Sequence, residues 1–314
     1  MFSARRLIPS LSREIRRHLK KSLTSKPAAA VELCEPTKEN KDILVERMGE
    51  ITKIGINCPE KKNSLNRIAA QNLSDAIEEF EQDESALVAV IHGIGGNFCT
   101  GYDLKEISEY DGESEDTLPQ FGPLANRMTL TKKPMVAALS GYTIGAGLEL
   151  ALLCDLRVVE ESAVIGFHNR RFGVPILGGG TVRLPALIGH SRAMDMILTG
   201  RGITAAEAFS WGLANRLVAC GTSLGQAFNL AQCLLKFPQR TMLADRASAH
   251  NASFSSRSFE EALQYEKDHS SHLLLEEGAV GAKKFREGIG RHGKFYHLRP
   301  IDRSKTDEIK DDLL

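Results

Sequence analysis

Excess charge of either sign is absent from this chain: 40 Lys and Arg residues balance 40 Asp and Glu, for a formal net charge of zero. That balance gives no support for nucleic-acid binding, which needs a basic surface. No apolar run is long enough to cross a bilayer, so no membrane span is expected. The six cysteines, Cys34, Cys58, Cys99, Cys154, Cys220 and Cys233, form no C-x-x-C pair and no zinc spacing. They are expected to be reduced, mostly buried thiols of an intracellular protein, with no metal site. A dinucleotide fingerprint is missing as well: after Gly145-x-Gly147 it needs glycine at position 150, where Leu150 stands. No internal repeat is visible.

What is present begins with an asymmetry. Residues 1–30 carry Arg5, Arg6, Arg13, Arg16, Arg17, Lys20, Lys21 and Lys26 against one acid, Glu14. Leu7, Leu11, Ile15 and Leu19 recur every four residues and put an apolar stripe beside the basic face of a helix. An Arg- and Ser-rich, acid-poor amphipathic start is the composition of a mitochondrial transit peptide. A disordered basic arm or a membrane-surface helix is the alternative. Residues 31–41 read as a linker, and a core of residues 42–223 is expected to follow.

The remaining 284 or so positions of the 314 suffice for a large buried core. Residues 43–47 and 51–56 alternate apolar and polar around Met48-Gly49-Glu50, a hairpin signal. Helical periodicity runs over 64–82 through Leu65, Ile68, Leu73, Ile77 and Phe80. ALVAVI (86–91) reads as a buried strand, and 156–159 and 163–167 as two shorter ones. Acidic residues, Gly and Pro make 108–123 a loop, and 124–131 is expected to be helical. Helices are expected after 180, from Ser191, from Thr204, and throughout 224–285. Strand–helix alternation followed by helices alone gives an α/β core (42–223) with a helical C-terminal region (224–297) and a polar tail (298–314).

Two glycine turns carry the chemistry. In KPMVAALSGYTIGAGLELALLCD (133–155) a buried strand turns at glycines into an apolar helix with Glu149 in its first turn. A helix start offers unpaired N–H groups and partial positive charge. Gly145 and Gly147 either let a ligand oxygen approach that backbone or merely permit close packing. Asn97-Phe98-Cys99-Thr100-Gly101-Tyr102-Asp103 is a second such turn, after the strand ending at Ile91. Two turns past neighbouring strand ends can offer one N–H each to a single carbonyl oxygen, which builds an oxyanion hole.

These blocks, with PEKKNSLN (59–66), FGVPILGGGTVRLPALIGHSRAMDMILTG (172–200) and GLANRLV (212–218), resemble the crotonase superfamily, the enoyl-CoA hydratase/isomerase family, over about residues 43–296. The resemblance implies a crotonase-like spiral of ββα units with a helical trimerisation region, and a homotrimer or hexamer. It implies an acyl-CoA thioester as partner, a thioester enolate as intermediate, and no cofactor beyond the substrate's own coenzyme A. By the same resemblance, Thr100 and Ala146 supply the oxyanion N–H donors, and Glu149 is the catalytic carboxylate. Lys61, Lys62, Ser64, Gly101, Asp103, Gly145 and Phe285 fall where coenzyme A and substrate are bound.

The match departs at one place. Ungapped alignment of IGFHNRRFGVPILGGGT puts the family's second glutamate at Asn169. An amide has no titratable proton near neutrality and holds water by hydrogen bonds alone. His168 is adjacent, but an extended backbone would turn its side chain to the opposite face. Glu106, Glu109 or Asp111 could substitute from the loop. Arg170 or Arg171 could hold a substrate carboxylate, which suits decarboxylation of a malonyl-type thioester. A lyase acting on acyl-CoA is therefore the leading expectation, with isomerase, decarboxylase and binding-only variants behind it. A last alternative is serine hydrolysis. Gly221-Thr-Ser223-Leu-Gly225 matches G-x-S-x-G, and His92-Gly-Ile-Gly-Gly96 imitates an HGGG loop, with Asp245 or Asp268 and His269 or His292 as partners.

Overall fold

The computed structural model describes residues 42–109, 130–293 and 298. The expected presequence, the linker, the tail beyond Leu298, most of the 108–123 loop and residues 124–129 of the expected helix lie outside the described residues.

Strands β1 (Ile43–Met48) and β2 (Ile51–Ile56) form the expected antiparallel hairpin, turning at Gly49, whose φ is +62°. Helix α1 (Arg67–Gln82) buries Ala69, Ala70, Leu73, Ala76, Ile77 and Phe80, the stripe of a 3.6-residue period. It starts later than its apolar pattern suggests. Leu65 is held instead by backbone bonds to Gly101 and Asp103 (2.8 and 2.9 Å), and Asn66 caps the helix by accepting from Ala69 N–H at 2.7 Å. Strand β3 (Val88–Gly93), the short helix α2 (Leu104–Ser108), β4 (Met135–Leu139) and β5 (Tyr142–Ile144) follow. Helix α3 (Ala146–Leu153) is buried at every position. Then come β6 (Leu156–Glu160), β7 (Val164–Gly166), α4 (Gly180–Ile188), α5 (His190–Thr199), β8 (Gly202–Thr204), α6 (Ala205–Ser210) and β9 (Arg216–Val218). The C-terminal helices are α7 (Ser223–Leu235), α8 (Gln239–Phe254), α9 (Phe259–Ser270) and α10 (Ala279–Arg286).

A six-stranded sheet runs β1-β2-β3-β4-β6-β9, parallel except for the hairpin, and a three-stranded sheet runs β5-β7-β8. The period of two sorts the side chains. Ala89, Ile91, Ala137 and Leu139 face the main core with α1 and α3, while Val88, Val90, Val136, Ala138 and Val158 face Ala227 and Ala231 of α7. Strands covered on both faces explain the unbroken apolar runs. Of the described cysteines, Cys99 and Cys154 are buried, but Cys220 and Cys233 are exposed, so burial of the thiols is less general than expected.

Candidate active site

The parallel strands β3 and β4 end side by side, and the two glycine turns leave them in the same direction. Phe98 N–H donates to Ser140 O (2.7 Å), Cys99 N–H to Tyr142 O (3.0 Å), and Ile144 N–H to Cys99 O (2.9 Å). These bonds make residues 98–100 run alongside β5, which carries Thr100 up to the start of α3. Neither Thr100 N–H nor Ala146 N–H has an acceptor among the described residues. Gly101 (φ +91°) shows how close the turns come: a Cβ there would lie 3.0 Å from Ile144 O and 3.2 Å from Ala146 N. The two glycines of the helix start divide their roles. A Cβ on Gly147 would sit 2.3 Å from Cys99 O, so Gly147 serves packing. Gly145, at φ +56°, opens toward Asn169, whose Oδ1 lies 3.7 Å from its missing Cβ.

Thr100, Gly101, Gly145, Ala146, Glu149 and Asn169 all line one cleft, whose wall includes Tyr102, Ile144, Phe172 and Val174. Glu149 is 2% exposed. Its Oε1 accepts from Gly178 N–H (2.6 Å) and Gly180 N–H (3.0 Å), and Arg183 steadies that loop by donating to Gly178 O (2.8 Å). Burial raises the carboxyl above its ordinary range, and the two backbone donors oppose the shift without cancelling it. Gly180 cannot be larger: a Cβ would lie 2.7 Å from the Phe167 ring and 3.1 Å from Glu149 Cγ.

Asn169 Nδ2 donates to Val174 O (2.8 Å), while its Oδ1 is buried without a partner among the described residues. An unpartnered buried acceptor facing a cleft is a place for a donor such as water. His168–Phe172 is a turn of 3₁₀ helix, closed by Gly173 at φ +72°, and not the extended segment considered from sequence. The alternation argument against His168 therefore lapses, and His168 lines the cleft beside Asn169. Its Nε2 is buried with no partner among the described residues, 3.1 Å from where a Cβ of Gly202 would lie, and burial lowers its pKa with help from Arg171.

Other expected residues lie elsewhere. Lys61 is paired with Asp103 (2.9 Å), and Lys62 lies 4.9 Å above the Tyr142 ring. Both sit next to the cleft, because the Thr100 hydroxyl donates to their carbonyls (3.4 and 3.2 Å). Ser64 follows them, its N–H donating to Lys61 O at 3.2 Å. Phe285 is on α10, exposed, with the Arg291 guanidinium 5.2 Å from its ring, and does not line the cleft. Glu106, expected as a possible replacement acid, instead accepts from Arg67 N–H at 2.7 Å and caps α1. Asp111 lies outside the described residues. Arg170 donates to Ile197 O (3.2 Å), and neither Arg170 nor Arg171 lines the cleft.

The serine-hydrolase arrangement is not formed. Ser223 is a buried helix-start residue whose hydroxyl donates to the Glu160 carboxylate at 2.7 Å, so its partner is an acid and not an imidazole. Among the described residues after that serine, the helices α7–α10 stand where an esterase core would need further strands. Among the described residues there is no group of three metal-ligating side chains.

Sequence reasoning missed Tyr102 and the role of the Gly178–Gly180 loop. The run of three glycines at 178–180 was the available signal for the loop. For Tyr102 the signal was its place in the turn, two residues after Thr100.

The fold and cleft define an α/β protein in which two backbone N–H groups, without acceptors among the described residues, and one buried carboxylate belong to the same cleft. The sequence profile of the family described as "Enoyl-CoA hydratase/isomerase" matches residues 46–290, and the chain belongs to that family. It is 32% identical over 225 residues to a probable mitochondrial enoyl-CoA hydratase of Dictyostelium discoideum, covering 71% of this chain and 79% of that protein. It is 38% identical over 209 residues to an enoyl-CoA isomerase/hydratase of Penicillium crustosum; the match covers 65% of this chain but only 24% of that longer protein. A crystal structure of an enoyl-CoA hydratase subunit from Geobacillus kaustophilus superposes with a TM-score of 0.73 at 31% identity, covering 79% and 95% of the two chains. The crotonase fold expected from the sequence is thus the fold observed.

Proposed function

We propose that the protein hydrates the 2,3 double bond of an enoyl-CoA thioester. The observation that carries this reading is the cleft itself, lined by residues with two N–H groups and an amide oxygen that have no partner among the described residues, and by a buried carboxylate. In this reading Thr100 and Ala146 N–H hold the thioester oxygen. Each such donor contributes about 3 kcal/mol at the transition state. Glu149, fixed through Oε1, takes the proton of a water whose oxygen attacks Cβ. Asn169 Oδ1 accepts from the same water and orients it. Residues Lys61, Lys62, Ser64 and Asp103, next to the cleft, and Phe285 on α10 would bind coenzyme A, with Gly101 and Gly145 giving the thioester room.

Asn169 favours a second reading. With one carboxylate, Glu149 alone can remove and return a proton, which moves a double bond and needs no water. Decarboxylation draws no support, because no described cation lines the cleft. A mitochondrial location is favoured by the composition of residues 1–30 and by the mitochondrial name of the Dictyostelium relative. The exposed C-terminal helices suit assembly as a homotrimer or hexamer.

The test is turnover of crotonyl-CoA and longer 2-enoyl thioesters, with a 3-enoyl thioester beside them and Glu149→Gln as control. Loss of the conjugated absorbance supports hydration, and its appearance from the 3-enoyl substrate supports isomerisation. No change with any of them would overturn both.

A further inference from the structure

Hydration must return a proton to Cα, and residue 169, an amide, has none to give. Among the described cleft residues, those with an ionisable proton are Glu149, His168 and Tyr102. His168 turns its Nε2 onto Gly202, at the edge of the three-stranded sheet. Tyr102 is different in its setting. It follows Thr100-Gly101 directly, and its backbone is bridged to Leu65 by bonds on either side, Leu65 N–H to Gly101 O (2.8 Å) and Asp103 N–H to Leu65 O (2.9 Å). The residue is 9% exposed and belongs to the same apolar cluster as Ala146. It therefore has a fixed backbone next to Thr100 and is part of the wall of the cleft that holds Glu149.

We infer that Tyr102 and Glu149 form the proton-transfer pair of this cleft, with the Tyr102 hydroxyl supplying the proton that a second carboxylate would otherwise carry. The inference rests on the enoyl-thioester reading for its substrate, but the pairing of the two side chains does not. In the step, the oxygen of water bonds to Cβ while its proton passes to Glu149. The C=C electron pair moves onto the thioester oxygen between the Thr100 and Ala146 N–H groups. As the enolate reforms its carbonyl, Cα takes the Tyr102 hydroxyl proton, and Glu149 returns its acquired proton to the phenolate oxygen. One water is added, and both side chains end as they began.

The electrostatics agree with the geometry. Burial pushes the Tyr102 phenol far up, and the Glu149 charge and the Cys99 thiol push it further, so the hydroxyl stays protonated as a donor. The other groups facing the pair are Arg183, which acts on Glu149, the Cys99 thiol, pushed up to about 12, and His168 with its neighbour Arg171.

The chain has five tyrosines, few enough to follow singly. The full protein is labelled at tyrosine Cζ and titrated by NMR, with Tyr102→Phe assigning the resonance. The expected result is a step in the Tyr102 signal as Glu149 titrates, lost in Glu149→Gln and therefore not due to His168. A Tyr102 signal with no step, or with a step that survives in Glu149→Gln, overturns the pairing. In kinetics, Tyr102→Phe is expected to lower kcat about 100-fold or more with KM unchanged. An unchanged kcat in an active enzyme overturns the proton-donor role. If the wild-type protein turns over no enoyl thioester while the step is present, the substrate reading fails and the pairing stands.

Discussion

The amide N–H of Gly178 donates to Oε1 of Glu149 at 2.6 Å, joining the glycine loop before α4 to the first turn of α3. With Gly180 on the same oxygen, the carboxylate is held by two backbone donors yet remains buried. Burial outweighs the donors, so the folded-state pKa is raised. A general base must be ionised, so the acid limb of the kcat/KM profile should lie above the ordinary carboxylate range, and Glu149→Gln should remove the activity. The linkage has a definite sign: where the folded pKa is raised, the unfolded chain loses its proton first. Stability falls as pH rises from the unfolded to the folded pKa, and stays lower above it. Urea unfolding from about pH 4 to about pH 8 should show a smaller loss in Glu149→Gln than in the wild type. An equal loss in both would show that Glu149 is not raised.

Gly101→Ala tests the oxyanion site without touching a titratable group. The substitution places a Cβ 3.2 Å from Ala146 N and 3.0 Å from Ile144 O, at a φ of +91° that L side chains rarely adopt. The turn must shift away from α3, which moves Thr100 N–H relative to Ala146 N–H. The expected loss in kcat is about 100-fold to 1,000-fold, as for removal of one oxyanion donor. Circular dichroism should show the fold retained, and an unchanged kcat would mean that these two N–H groups do not act together.

The features legible in the sequence were those with local causes. The Met48-Gly49-Glu50 turn, the apolar runs of β3 and β4, and the glycine entry to α3 follow from short-range pattern. They bring the two glycine turns to neighbouring strand ends, and Thr100 and Ala146, which only the family resemblance singles out, line one cleft with Glu149. The features that escaped depend on bonds between residues far apart in sequence. Gly178 and Gly180 reach Glu149 across 29 and 31 residues, and Glu106 reaches Arg67 N–H across 39, which took it out of contention as a cleft acid. The alternation expected of an extended backbone does not apply to His168, because Gly173 in the left-handed region closes a tight turn there. Leu65 looked helical by period, but backbone bonds to the 101–103 turn claimed it.

Asn169→Asp probes what the amide contributes. It places a second carboxyl in the cleft that holds Glu149, and a like charge nearby disfavours ionisation. The acid limb of the rate profile should move further up in pH than in the wild type. Asn169→Ala removes the orphaned Oδ1 and the bond to Val174 O together, and should lower kcat about tenfold, or ~1.4 kcal/mol. A pH profile that ignores Asn169→Asp would mean the two positions do not share one electrostatic site.

Ser223→Ala separates a structural hydroxyl from a nucleophile. The Ser223 hydroxyl and N–H both donate to Glu160 Oε1, at 2.7 and 3.2 Å, and both residues are buried. Removing the hydroxyl leaves a buried carboxylate short of one donor, which costs about 1–3 kcal/mol. The variant should unfold at lower urea concentration while its kcat on any accepted thioester is unchanged, because Ser223 does not line the cleft. A fluorophosphonate should fail to label the wild-type protein. Labelling at Ser223, or loss of turnover in a variant that remains folded, would mean that the helix start at α7 takes part in chemistry after all.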